Sequence, residues 1–131
     1  MKRLLLYLSI VIFFSSFSAN AQMDGIYVFN AVGVSFAEHG KSYSKVEPVD
    51  LFIYWDTDKG LIEINSKELQ KYTYSKFTKT ETNEYARLRA IARDKYGKIV
   101  VLYFYEFNNG NLLFIVEFSD ASIRYVLNPN D

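Results

Sequence analysis

The sequence predicts an all-β protein: a single domain, an antiparallel meander of seven to eight strands forming a curved sheet or a small barrel. Three observations carry that prediction. Apolar and polar residues alternate with period two over almost all of residues 22–131, as in strands with one buried face. The alternating runs are short and are punctuated by turn chemistry: Asp-Thr-Asp-Lys-Gly at 56–60, Asp-x-x-Gly-Lys at 94–98 and Asn-Gly at 109–110. The chain carries 11 Tyr and 11 Phe but no Cys. With no disulfides, the fold must rest on apolar burial and the sheet ladder, and each aromatic ring can bury a large area.

Residues 1–21 stand apart from this pattern and read as a cleaved secretory signal. Lys2 and Arg3 make a basic start, 4–14 is an uncharged apolar run, and Ala19-x-Ala21 puts small residues where a signal peptidase cuts. The apolar run is too short to span a bilayer comfortably. No Cys follows it, so no lipid-modified terminus is expected. The remaining residues 22–131 suit one domain with one core. Removing the signal leaves 13 bases against 15 acids, a formal charge of −2, with both signs scattered. That excludes the concentrated basic footprint of a nucleic-acid binder. No second long apolar run follows, so the mature chain is not expected to span a membrane. An exported chain without cysteines points to a bacterial periplasmic or extracellular protein.

The elements follow in order. Residues 26–36 form a first strand, with Gly33 at a bend or bulge. Residues 37–48 are a polar loop. Residues 49–55 form a second strand with Val49, Leu51, Ile53 and Trp55 on one face, and 61–65 return as a third after the 56–60 turn. Residues 68–78 make a polar strand, where Lys71, Lys76 and Lys79 suit an edge that must not pair with other chains. Residues 85–93 alternate as a strand and lead into the 94–98 hairpin. The same segment also holds helix formers between Asn83, a capping residue, and Gly97, a stop. The hairpin favours the strand.

The closing three strands can be given a register. A two-residue turn at Asn109–Gly110 pairs Phe107 with Leu112, Tyr105 with Phe114 and Tyr103 with Val116. A turn at Asp120–Ala121 pairs Phe118 with Ile123, Val116 with Tyr125, Phe114 with Leu127 and Glu117 with Arg124. Both turns then agree on one core face: Val101, Tyr103, Tyr105, Phe107, Leu112, Phe114, Val116, Phe118, Ile123, Tyr125 and Leu127.

The opposite face has an apolar centre of Val100, Leu102, Phe104, Leu113 and Ile115, framed by charge. With Asp94 opposite Gly97, Arg87 and Arg89 come beside Phe104 and Leu102. Arg87, Arg89, Phe104, Glu106, Glu117 and Arg124 are therefore the candidate ligand or partner face. The long arginine stems can also cover neighbouring apolar groups, in which case the face is simply solvated.

Most catalytic signatures are absent. Without Cys there is no thiol nucleophile, Cys-ligated zinc or iron–sulfur site, and His39 is the sole histidine, in a polar loop. Asp56-x-Asp58 lacks the further oxygen ligands and terminal acid of a calcium loop and reads as a self-bonded turn. Glu106 and Glu117 are too far apart in this register to act as a glycosidase pair. No cofactor or metal is implied, and a non-enzymatic protein is expected.

The leader ending in Ala-Asn-Ala-Gln, the strand Gly60-Leu-Ile-Glu-Ile-Asn-Ser66 before the polar 68–77 strand, the 94–98 hairpin and the closing 114–127 pair resemble small exported all-β proteins of the Bacteroidetes type. That resemblance covers most of residues 22–131. It implies a fold and a cell-envelope address, and carries no catalytic positions. A weaker similarity is to lipocalin-like barrels, although Asp24-Gly25-Ile26-Tyr27 replaces their Gly-x-Trp. The expected function is thus an exported binding or accessory module, its partner a protein or a small apolar ligand. A lipocalin-like carrier, its cavity lined by Tyr103, Tyr105, Phe114 and Tyr125, is an alternative. So is a secreted enzyme using carboxylates.

Overall fold

The computed structural model describes residues 25–129, so the signal-peptide assignment at 1–21 lies outside the described residues. The described chain contains nine strands and no helix. They are β1 (Ile26–Glu38), β2 (Glu47–Asp56), β3 (Leu61–Ile64), β4 (Gln70–Tyr74), β5 (Thr78–Glu81), β6 (Tyr85–Asp94), β7 (Ile99–Phe107), β8 (Leu112–Glu117) and β9 (Ala121–Leu127). Residues 85–93 are strand, the reading that the hairpin favoured over a helix.

Every pairing is antiparallel. The order is β4-β3-β2-β1-β9-β8-β7-β6-β5, and β4 also pairs with β6. Eight strands thereby close into a barrel, which leaves fewer open edges than a flat sheet would. β5 stands outside the closure and pairs only with β6, Thr78 opposite Arg89 and Thr80 opposite Arg87. The polar strand expected at 68–78 is thus split. Its first half joins the barrel wall, and Phe77 turns inward between the two pieces, against Trp55 and Tyr74.

An eight-stranded barrel has an interior about wide enough for side chains to fill. Here alternate residues fill it. Ile53, Ile62, Ile64, Leu102, Phe114 and Val116 are fully buried, with Tyr72 and Tyr125 nearly so. The two buried hydroxyls meet Gln70: Tyr72 donates to its Oε1 at 2.6 Å, and its Nε2 donates to the Tyr125 hydroxyl at 3.0 Å. Burial raises the pKa of both tyrosines. At one end, Trp55, Phe104 and Phe77 form an aromatic plug. The second-strand face Val49, Leu51, Ile53 and Trp55 packs inward as read from the sequence, and β1 does bulge between Ala31 and Gly33.

The register of β7 corrects the sequence reading. The loop between β7 and β8 holds three residues, not two: Phe107 N–H donates to Asn111 O and Gly110 N–H to Phe107 O. Gly110 closes it at φ 89°, the left-handed residue of a three-residue hairpin. The β6–β7 loop repeats this geometry, with Asp94 N–H on Lys98 O and Gly97 at φ 83°. The extra residue shifts β7 by one, and a one-residue shift turns every side chain to the other face. Val100, Leu102 and Phe104 point inward; Val101, Tyr103, Tyr105 and Phe107 point outward. The β8–β9 turn lies at Ser119–Asp120, which moves the pairing by two residues and leaves its faces intact. Phe114, Val116, Tyr125 and Leu127 are core as expected.

Candidate functional site

The shift in β7 builds the outer face of β6–β9. Arg87 pairs with Tyr105, which pairs with Leu113, which pairs with Val126. In the next row Arg89 pairs with Tyr103, then Ile115, then Arg124, then Ser35 of β1. Tyr85 and Phe107 extend the first edge of the face. Two rows of half-buried side chains thus run around the barrel wall, each starting from an arginine on β6 and the second reaching Arg124 on β9, with tyrosines and aliphatic residues between.

The rings on β7 make a ladder. Tyr105 stacks on Phe107 at 5.7 Å and 8°, and Tyr103 on Tyr105 at 6.1 Å. Tyr85 meets Tyr105 edge-on at 5.3 Å. The Arg87 and Arg89 guanidinium carbons lie 5.7 and 6.0 Å from the Tyr103 centroid, within cation–π range. At the far end the loop after β1 folds back over the wall. Tyr43 shares a 2.9 Å hydrogen bond with Ser122, and the Arg124 guanidinium sits 4.2 Å from the Tyr43 centroid. Arg124 Nε donates to Ser35 at 3.2 Å, which accounts for a fully buried serine on the outside of a barrel.

The electrostatics of this face are one-sided. The described residues contain four arginines, Arg87, Arg89, Arg93 and Arg124, and all four lie here. The ion pairs among the described residues are made by lysines: Lys41–Glu38, Lys71–Glu63, Lys79–Glu81 and Lys95–Glu68. None of the arginines takes part. Arg87 Nε is buried with no hydrogen-bond partner, and Glu117, on the row beside that of Arg89 and Arg124, accepts a long 3.5 Å bond from Tyr103.

An open groove of about 550 Å³ continues the face where β4 and β5 meet β6. Lys76, Arg89 and Arg93 supply its charge, and the hydroxyls of Thr73, Ser75 and Thr78 its neutral polar groups. Ile91 and Ile99, each 59% exposed, form an apolar wall, and no carboxylate lines it.

Of the six residues expected to share one face, Arg87, Arg89, Glu117 and Arg124 do. Phe104 and Glu106 do not: the shifted register puts Phe104 in the aromatic plug and Glu106 on the same inward side, near Lys79. Glu117 is opposite Val101 and Ser122, and Arg124 is opposite Ile115, so the expected Glu117–Arg124 pair is not formed. Glu106 and Glu117 end on opposite sides of the sheet. The four rings proposed to line a cavity are likewise divided, with Phe114 and Tyr125 inside and Tyr103 and Tyr105 outside. Tyr103, Tyr105 and Phe107 are the site residues that the sequence reading placed in the core. The signal for them was the Gly at the third loop position, which allows a three-residue hairpin as readily as a two-residue one. Asp56 makes its expected turn, accepting from the Asp58 and Lys59 amides at 3.1 Å each. His39 lies in an exposed loop.

Comparison of the chain with protein families, curated proteins and solved structures finds no match.

Proposed function

We propose that this protein is an exported, non-enzymatic binding module that holds its ligand or partner on the outer face of β6–β9. Export rests on the basic, apolar and small-residue sequence of 1–21. The binding assignment rests on one observation: all four arginines of the described chain converge on one face and none is ion-paired. Arginine and tyrosine, with tryptophan, are enriched where binding energy concentrates, because each offers a large contact area together with hydrogen-bonding groups. The aliphatic centre of Leu113, Ile115 and Val126 adds apolar contact between them. Binding inside the barrel would need room that Trp55, Phe104, Phe114 and Tyr125 occupy.

Photo-crosslinking in the producing cell tests the face. A benzoyl-phenylalanine at Tyr105 should give a discrete adduct, and one at Tyr54, on the outer wall of β2, should not. Equal labelling at both positions, or none at Tyr105, would remove the assignment.

A further inference from the structure

We infer that the ligand of this face is an acidic polysaccharide, with the groove at the β4–β5–β6 junction holding its anionic groups. The inference rests on the binding reading above and adds the chemical class. Four features of the site point the same way.

The first is charge. Lys76, Arg89 and Arg93 line one groove with no carboxylate among its walls. Arg93 gives one N–H to Gly97 O at 2.9 Å, and its other donors remain for a ligand. Carboxylate or sulfate oxygens would supply what these cations lack and would make charge-assisted hydrogen bonds.

The second is hydroxyl content. Thr73, Ser75 and Thr78 bring hydroxyls between the cations. A hydroxyl both donates and accepts. Such groups match a ligand that is itself rich in hydroxyls, which a polyanion such as polyglutamate is not.

The third is the apolar wall. Ile91 and Ile99 are among the most exposed aliphatic residues of the molecule, and they lie in the groove between charged neighbours. A pyranose ring carries C–H groups on its faces and polar groups around its rim. It can lay a face on the isoleucines while its rim reaches the hydroxyls and guanidinium groups.

The fourth is spacing. Same-face residues on one strand recur about every 6.6 Å, so Arg87, Arg89 and Arg93 mark a line of roughly 20 Å. That is the scale of a short oligosaccharide carrying an acid on successive or alternate units. A duplex nucleic acid, with one charge per about 1.7 Å, calls for a denser basic surface than these few cations provide on residues 22–131, whose formal charge is −2.

The test is binding of the purified protein to immobilised polygalacturonate and dextran sulfate, with uncharged dextran, poly-L-glutamate and phosphatidylglycerol vesicles in parallel. Binding to at least one acidic polysaccharide is expected, weakening with salt and absent on dextran. Arg89→Gln with Arg93→Gln should weaken it by about tenfold or more, since two charge-assisted contacts are lost. Ile91→Asp should also weaken it, while Lys45→Gln, in the loop between β1 and β2 on the other side of the barrel, should not. Urea unfolding of each variant separates lost binding from lost fold. Equal or tighter binding to poly-L-glutamate would assign the face to an acidic protein segment instead, and preference for the vesicles would assign it to a membrane surface. Either result overturns the inference, as does binding indifferent to Arg89 and Arg93. Failure to bind either polysaccharide while Tyr105 still crosslinks in the cell would sink the ligand class and leave the binding face standing. Loss of the Tyr105 adduct would remove both.

Discussion

Phe104 lies nearly parallel to Trp55 inside the barrel, ring centroids 4.7 Å apart and planes 10° apart. The two belong to β7 and β2, which face each other across the closed sheet. Their contact ties opposite walls of the barrel together through the interior. Phe104→Ala should cost about 3–5 kcal/mol, the transfer term of a buried ring plus the cavity it leaves. Urea unfolding measures this, and a loss below about 1 kcal/mol would mean that the plug collapses to fill the space.

Trp55 Nε1 donates to the Tyr74 hydroxyl at 2.6 Å. Tyr74→Phe keeps the ring and strands the indole N–H in a largely apolar end of the barrel. The expected loss is about 1–3 kcal/mol. Tryptophan fluorescence in the native state should shift with it. An unchanged spectrum and midpoint would show that water replaces the hydroxyl.

Burial raises the hydroxyl pKa of Tyr72, Tyr74 and Tyr125, that of Tyr74 to about 12. A raised folded-state value means that the neutral form is favoured by folding. Its contribution is therefore complete below the unfolded value near 10 and is lost as pH rises through the folded value. Stability should show no tyrosine-linked loss at neutral pH and fall between about pH 10 and 12. Urea midpoints across that range, with ultraviolet titration of the tyrosines, provide the check. A midpoint that stays constant through it would contradict the burial of these hydroxyls.

Gly110 sits at φ 89°, and the space a Cβ would take there is open, so Gly110→Ala adds backbone strain without a clash. The expected cost is about 1–2 kcal/mol. The three-residue loop and the inward set Val100, Leu102 and Phe104 should survive. Amide exchange across β7 and β8 would reveal a register change if the loop instead contracts.

Arg87 carries a buried Nε with no partner. Arg87→Met keeps the long stem over the β7 rings and removes that unsatisfied group. It should leave stability unchanged or raise it by up to about 1 kcal/mol, while weakening ligand binding. A destabilisation instead would make Arg87 a structural residue of the wall.

The sequence by itself determined the class of fold, the inward faces of β2, β8 and β9, and the presence of a face where Arg87, Arg89, Glu117 and Arg124 meet; for 85–93 it favoured a strand over a helix, and the pairing with β5 and β7 decided it. These rest on local alternation and turn chemistry, which survive a displacement of pairing by an even number of residues. The β8–β9 turn moved by such a displacement and changed no face. The β7 register was decided only in three dimensions. Val100 to Phe107 is apolar at every position but Glu106, so alternation could not say which side is core, and Asn109–Gly110 fits a two- or a three-residue loop. Packing chose between them. The inward set places Phe104 between Trp55 and Phe114, and the tyrosines then fall outside beside the arginines. Closure was likewise decided by tertiary structure, because β4 meets β6 and β9 meets β1 through contacts distant in the chain, for which no single stretch of residues carries a signal.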